Sequence, residues 1–124
     1  MREEVLIEIL SFLGALNDYS YLDRLGNAID EVSILEALRD AIRAFYTNCS
    51  KEKVCVEYDR ERKLGVICPE VKPEELSATI SQIADRVSKG KIGRVEMIRL
   101  SRELALKAYA KIPEVRNTHA CQTG

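Results

Sequence analysis

The sequence predicts a mainly α fold: a five-helix, bundle-like domain with an inserted β-hairpin as a minor α+β element. Three observations carry this. Apolar residues return at three- and four-residue spacing over most of the chain, the mark of helices that bury one side. Between Val54 and Cys68 the period changes to two, the mark of extended strands. Pro69, Pro73, Gly90 and Pro113 fall at the joins, where helices start or stop.

The first helix is predicted over residues 3–16. Val5, Ile9, Phe12, Leu13 and Leu16 form a stripe, and Leu6 and Leu10 widen it, so more than one side should be buried. Asn17 and Asp18 punctuate its end. A short second helix over residues 21–28 carries Leu22, Leu25 and Ile29. The third opens at Ser33, where Glu36 supplies the spacing of a capping box, and runs to about Tyr46 with Leu35, Leu38, Ala41, Ile42 and Phe45 inward. Two alternating runs follow. Matching their apolar sides pairs Tyr58 with Leu64 and Val56 with Val66 across a loop of residues 60–62. Pro73 suits the first turn of the fourth helix, which runs to about Ser88 with Leu76, Ile80, Ile83, Ala84 and Val87 inward; Glu74 and Glu75 suit its dipole. The last helix is predicted from residue 92 or 93 to Lys111. Its stripe is Val95, Ile98, Ala105, Ala108, Tyr109 and Ile112, extended by Met97, Leu100 and Leu104.

With 124 residues, 46% hydrophobic and 31% charged, the chain has room for one modest core. Residues 1–113 are expected to form a single helical domain with 54–68 as a hairpin appendage, and 114–124 a flexible tail. No apolar stretch approaches the length of a membrane span, and the acidic residues 1–10 do not look like a secretory leader, so a cytoplasmic protein with no membrane contact is expected. Cys49, Cys55, Cys68 and Cys121 lack metal-ligand spacing. Reduced thiols packed as small apolar groups are the expectation. The alternative is a structural disulfide from Cys55 to another cysteine, which gains weight in a hyperthermophile.

Charge reverses along the chain. Residues 1–57 hold eleven carboxylates against six Lys and Arg, whereas residues 86–124 hold nine cations against three carboxylates. Such asymmetry points to a polyanion partner or a charged assembly surface. Arg86, Lys89, Lys91 and Arg94 gather where the last two helices join, and Arg99 and Arg102 continue along the last helix. These six are the candidate nucleic-acid-binding set, through salt-sensitive backbone contacts without sequence preference. Secondary candidates are Arg39 and Arg43, and Arg60, Arg62 and Lys63 at the hairpin tip. The competing explanation is a solvated helix face, with Arg99–Glu103 and Glu103–Lys107 as four-apart pairs.

Catalytic chemistry has little to build on. The pairs Glu3–Glu4, Asp30–Glu31 and Glu74–Glu75 lie at predicted helix starts, where the dipole explains them. The single histidine, His119, lies in the tail, so the serines have no base within reach. Gly90-Lys91-Ile92-Gly93 lacks the strand and the Gly-Lys-Ser/Thr ending of a phosphate loop and reads as a helix-terminus hinge. No enzyme, metal or cofactor is expected.

The order of parts carries one resemblance. The stretch from Tyr19 to Ala28, the helix containing Ala37-Leu-Arg-Asp-Ala-Ile-Arg43, the hairpin, and a helical pair joined between Gly90 and Arg94 together resemble the small subunit of the archaeal type I-A CRISPR effector complex, Cascade. The likeness covers about residues 5–112. It implies a mostly helical, non-catalytic subunit of an RNA-guided surveillance complex that helps line a ribonucleoprotein filament and supports opened DNA. The implied partners are other CRISPR effector subunits, guide RNA or single-stranded DNA, and further copies of the same chain. The rival reading is a homo-oligomeric helical scaffold that binds no nucleic acid.

Overall fold

The computed structural model describes residues 3–49, 54–59, 62–66, 69, 71–88 and 94–116, with the two strands described by backbone alone. The fold is mainly helical. Five helices occur: α1 Glu3–Ala15, α2 Ser20–Gly26, α3 Glu31–Cys49, α4 Pro73–Ser88 and α5 Arg94–Arg116.

The central element is α1. From Ile9 to Ala15 every residue is buried, so this helix is enclosed rather than half-exposed, as its widened apolar stripe predicts. Its neighbours are α5, which packs along it most extensively, and α3; α2 bridges α3 and α5. Phe12 and Phe45 meet edge to face at 5.8 Å, joining α1 to α3 within the core. Gly14 sets how closely α1 and α5 approach. A Cβ there would stand 3.0 Å from Ile112 Cγ1 and closer still to Cδ1.

Helix ends follow local chemistry. Asn17 takes a left-handed φ of 65° beyond α1. The Asp18 amide donates to the Leu13 carbonyl and the Asn17 amide to that of Gly14, the Schellman arrangement that satisfies two end carbonyls. At α3 the expected Ser33–Glu36 capping box does not form. The helix starts earlier, and Asp30 is its cap, accepting from the Ser33 amide at 2.7 Å. A carboxylate three residues upstream of Ser33 supplies the same acceptor with full negative charge toward the dipole. Pro73 and its two following glutamates open α4 as expected.

Between α3 and α4, β1 (Val54–Asp59) pairs antiparallel with β2 (Arg62–Val66), and β2 approaches α5. The register departs from expectation: Val56 opposes Leu64 and Val54 opposes Val66, with an irregularity between Glu57 and Asp59. The observed register differs by two residues, which keeps every residue in the same alternation, so the apolar pattern could not choose between the two. The expected loop, including Arg60, lies partly outside the described residues.

Two further expectations are corrected. Helix α5 begins at Arg94 and contains Pro113, ending at Arg116 rather than Lys111. Proline's fixed φ is compatible with helix, and buried Ile112 anchors the turn before it. Residues 114–116 are therefore helical, and the rest of the predicted tail lies outside the described residues. Cys49 is disulfide-bonded, which corrects the expectation of reduced thiols. Its partner sulfur lies outside the described side chains. No described helix is long and apolar enough to cross a membrane.

Candidate nucleic-acid interface

The sequence-derived stripe of α5 is rotated in the folded chain. Met97, Ser101, Leu104, Ala105, Ala108 and Ile112 are buried against α1 and α2. Val95 and Tyr109, expected inward, are 81% and 63% exposed, and Leu106 between them is 70% exposed. Ser101 is the polar member of this buried arc. Its buried hydroxyl lies 2.8 Å from the Leu25 carbonyl, near the C-terminal end of α2, and 3.1 Å from the Ile98 carbonyl of its own helix.

This places Val95, Arg99, Arg102, Leu106 and Tyr109 along one outward seam, at alternating four- and three-residue spacing. Arg99 and Arg102 are both exposed on it. Arg99 Nε lies 3.5 Å from Glu103 one turn on, the four-apart pair read from sequence. Such an exposed pair contributes under about 1 kcal/mol and leaves the guanidinium available to a stronger anion. Among the described residues Arg102 makes no ion pair. Lys107 is exposed beside this seam. Lys111 instead turns toward α1 and pairs with Glu8, so the acidic front of the chain neutralises this one cation of its basic end.

The other candidates separate. Arg94 opens α5, so its backbone sits at the same helix's N-terminus, while Lys89, Lys91 and Arg60 lie outside the described residues, as does the side chain of Arg86. Arg62 and Lys63 are in β2, described by backbone alone, with Lys63 opposite Glu57. Arg39 and Arg43 are exposed one turn apart on α3, a different helix. Of the predicted set, the structure brings Arg99 and Arg102 together on one described surface.

Reasoning from sequence missed what lies next to them. Arg102, Leu106 and Tyr109 form one wall of a groove of about 370 Å³, and Leu22 and Asp23 of α2 with Asn27 just beyond it form the other. The Tyr109 ring stands 6.1 Å from that of half-buried Tyr19, tilted by 47°, which props it at the groove's end. Tyr109, expected in the core stripe, belongs instead to a second apolar set on α5 with Val95 and Leu106. A second open cleft, lined by Arg24, Ala28, Ile29, Ser33 and Glu36, lies on the far side of Asn27. Neither cleft brings two carboxylates together among the described residues. Burial, then the carboxylates of Asp18 and Asp40, raises the Tyr21 hydroxyl above its ordinary pKa, opposed by Arg24; Tyr21 lines neither cleft among the described residues. Arg24 itself pairs with Asp40 at 2.9 Å, tying α2 to α3. The described residues contain no group of three or more His, Cys, Asp or Glu able to hold a metal.

A family model described as CRISPR-associated protein (Cas_Csa5) matches residues 9–118. The chain belongs to that family, the small subunit of type I-A Cascade. No curated protein and no solved structure matches it.

Proposed function

We propose that this member of the Cas_Csa5 family is a non-catalytic subunit of an archaeal CRISPR RNA-guided surveillance complex. In this reading it supports guide RNA or opened target DNA through weak, sequence-independent contacts to the backbone. Membership makes it a CRISPR-associated subunit that works with other components of such a complex. The observation that carries the nucleic-acid reading is the pair Arg99 and Arg102, both exposed on the outward side of α5 in the cationic end of the chain. Positive side chains on one helix face attract any phosphate backbone and release counterions, giving binding that weakens steeply with salt. In RNA-guided recognition that suffices, because base pairing reads the sequence and the protein holds backbones. Arg86, Lys89, Lys91 and Arg94, just upstream, extend the same cationic run in this reading.

The test is a titration of a short labelled single strand at low salt. Arg99→Glu with Arg102→Glu should weaken binding at least about 10-fold and flatten its salt dependence by roughly two phosphate contacts, with an unchanged melting curve. Lys91→Glu with Arg94→Glu should act in the same direction. Unchanged affinity in both would reject this face.

The second reading, a homo-oligomeric helical scaffold, is favoured by a different observation. Val95, Leu106 and Tyr109 on α5, Val32 in the first turn of α3 and Ile29 just before that helix are large apolar side chains more than 60% exposed. It predicts self-association by sedimentation that Leu106→Glu abolishes, and no binding of nucleic acid at low salt.

A further inference from the structure

We infer that the groove between α2 and α5 receives one unstacked base of a single strand, with the ring laid on Tyr109 and the adjoining phosphate on Arg102. This rests on the backbone-binding reading and adds to it a second, base-dependent grip. The argument starts from Tyr109. A phenol ring that is 63% exposed, beside a concavity rather than on a convex surface, presents a face that only another flat group can cover well. A volume of about 370 Å³ lies at the lower end of ordinary small-ligand sites and has room for one nucleobase with its sugar. The wall chemistry is also of this kind. Leu22 and Leu106 offer apolar surface; Arg102, with no ion pair among the described residues, supplies the cation that a phosphate two helical turns from the ring would meet.

The groove also holds a carboxylate, Asp23, on the wall opposite Arg102. A carboxylate repels phosphate but accepts hydrogen bonds from an exocyclic amino group, as acidic side chains do from cytosine N4. Asn27 directs its amide nitrogen to the Asp23 carbonyl at 2.9 Å, which leaves its oxygen as a second acceptor on that wall. The site therefore favours bases that present an exocyclic amino group, cytosine, adenine and guanine, over thymine. The same acidic wall orients the strand, because the phosphate must approach from the α5 side.

The experiment is fluorescence anisotropy of short labelled oligodeoxycytidylate with the full chain at low salt, each variant first checked by thermal melting. Tyr109→Ala should weaken binding about 10-fold, the loss of one base–aromatic stack, and Tyr109→Phe should stay within about twofold. An abasic strand of equal length should bind the unaltered protein as weakly as the intact strand binds Tyr109→Ala. Oligothymidylate should bind more weakly than oligodeoxycytidylate, and Asp23→Asn should narrow that gap. If Tyr109→Ala and the abasic strand bind as tightly as their parents while Arg99→Glu with Arg102→Glu does not, the base pocket is rejected and the backbone reading stands. If the unaltered protein binds no strand and Leu106→Glu instead disrupts a dimer, the seam is a protein interface and both readings fall.

Discussion

Gly14 and Ile112 show how much a single missing atom can set. The absent side chain of Gly14 lets the Ile112 side chain, and with it the end of α5, lie directly on α1. Gly14→Ala would gain about 1 kcal/mol of helix propensity. It would also force Ile112 out of a buried position, and such overpacking costs about 1–3 kcal/mol. We expect a net loss of about 1 kcal/mol, read as a lower melting temperature or urea midpoint. Ile112→Val removes the Cδ1 atom nearest the new methyl group. Alone it should cost about 1 kcal/mol, but the double variant should be more stable than the two losses added together. Strict additivity would mean that this contact does not set the spacing of α1 and α5.

At the scale of elements, what could be read from sequence depended on whether one face or two were apolar. Helix α1 carries an apolar run so wide that its enclosure was legible directly, and α3 needed only a small rotation, with Ile34 and Ala37 more deeply buried than Leu35 and Ile42. Helix α5 was legible as a helix but not as a face. Its inner arc, Met97 to Ile112, is mostly apolar, and its outer seam sets Val95, Leu106 and Tyr109 among the cations Arg99 and Arg102. Those three apolar side chains make the seam resemble a core stripe, while the buried arc includes a polar residue, Ser101, whose hydroxyl meets a carbonyl 76 residues earlier. The cations of the candidate site were found by charge, and the groove beside them was not, because it is made jointly with α2. The cap of α3 was misplaced for a smaller reason: Asp30 and Ser33 are both good cap residues, and the acidic one lies where the helix begins. Asp30→Ala should therefore destabilise the protein by about 0.5–2 kcal/mol in chemical denaturation, and Ser33→Ala by distinctly less. Equal losses would move the cap back to Ser33.

For the whole molecule, the linear charge map is only partly preserved by folding. The acidic first helix lies against the basic last one, so the reversal that is plain in sequence becomes, at Lys111 and Glu8, an internal ion pair. What remains for a partner is local: exposed guanidinium groups on one side of α5, on a chain whose overall charge is −1. The distinction can be tested with two variants that remove the same charge. If the long-range field of the basic half drives association, Lys111→Gln and Arg102→Gln should weaken single-strand binding alike, because each removes one positive charge from the same helix. If the outward face does, Arg102→Gln should reduce affinity several-fold and lower the salt slope by about one contact. Lys111→Gln should then leave affinity within about twofold and register instead as a small loss of stability, since an ion pair exposed to this degree contributes at most about 1 kcal/mol. Equal effects of the two on binding would return the interaction to net charge and remove the grounds for assigning it to this surface.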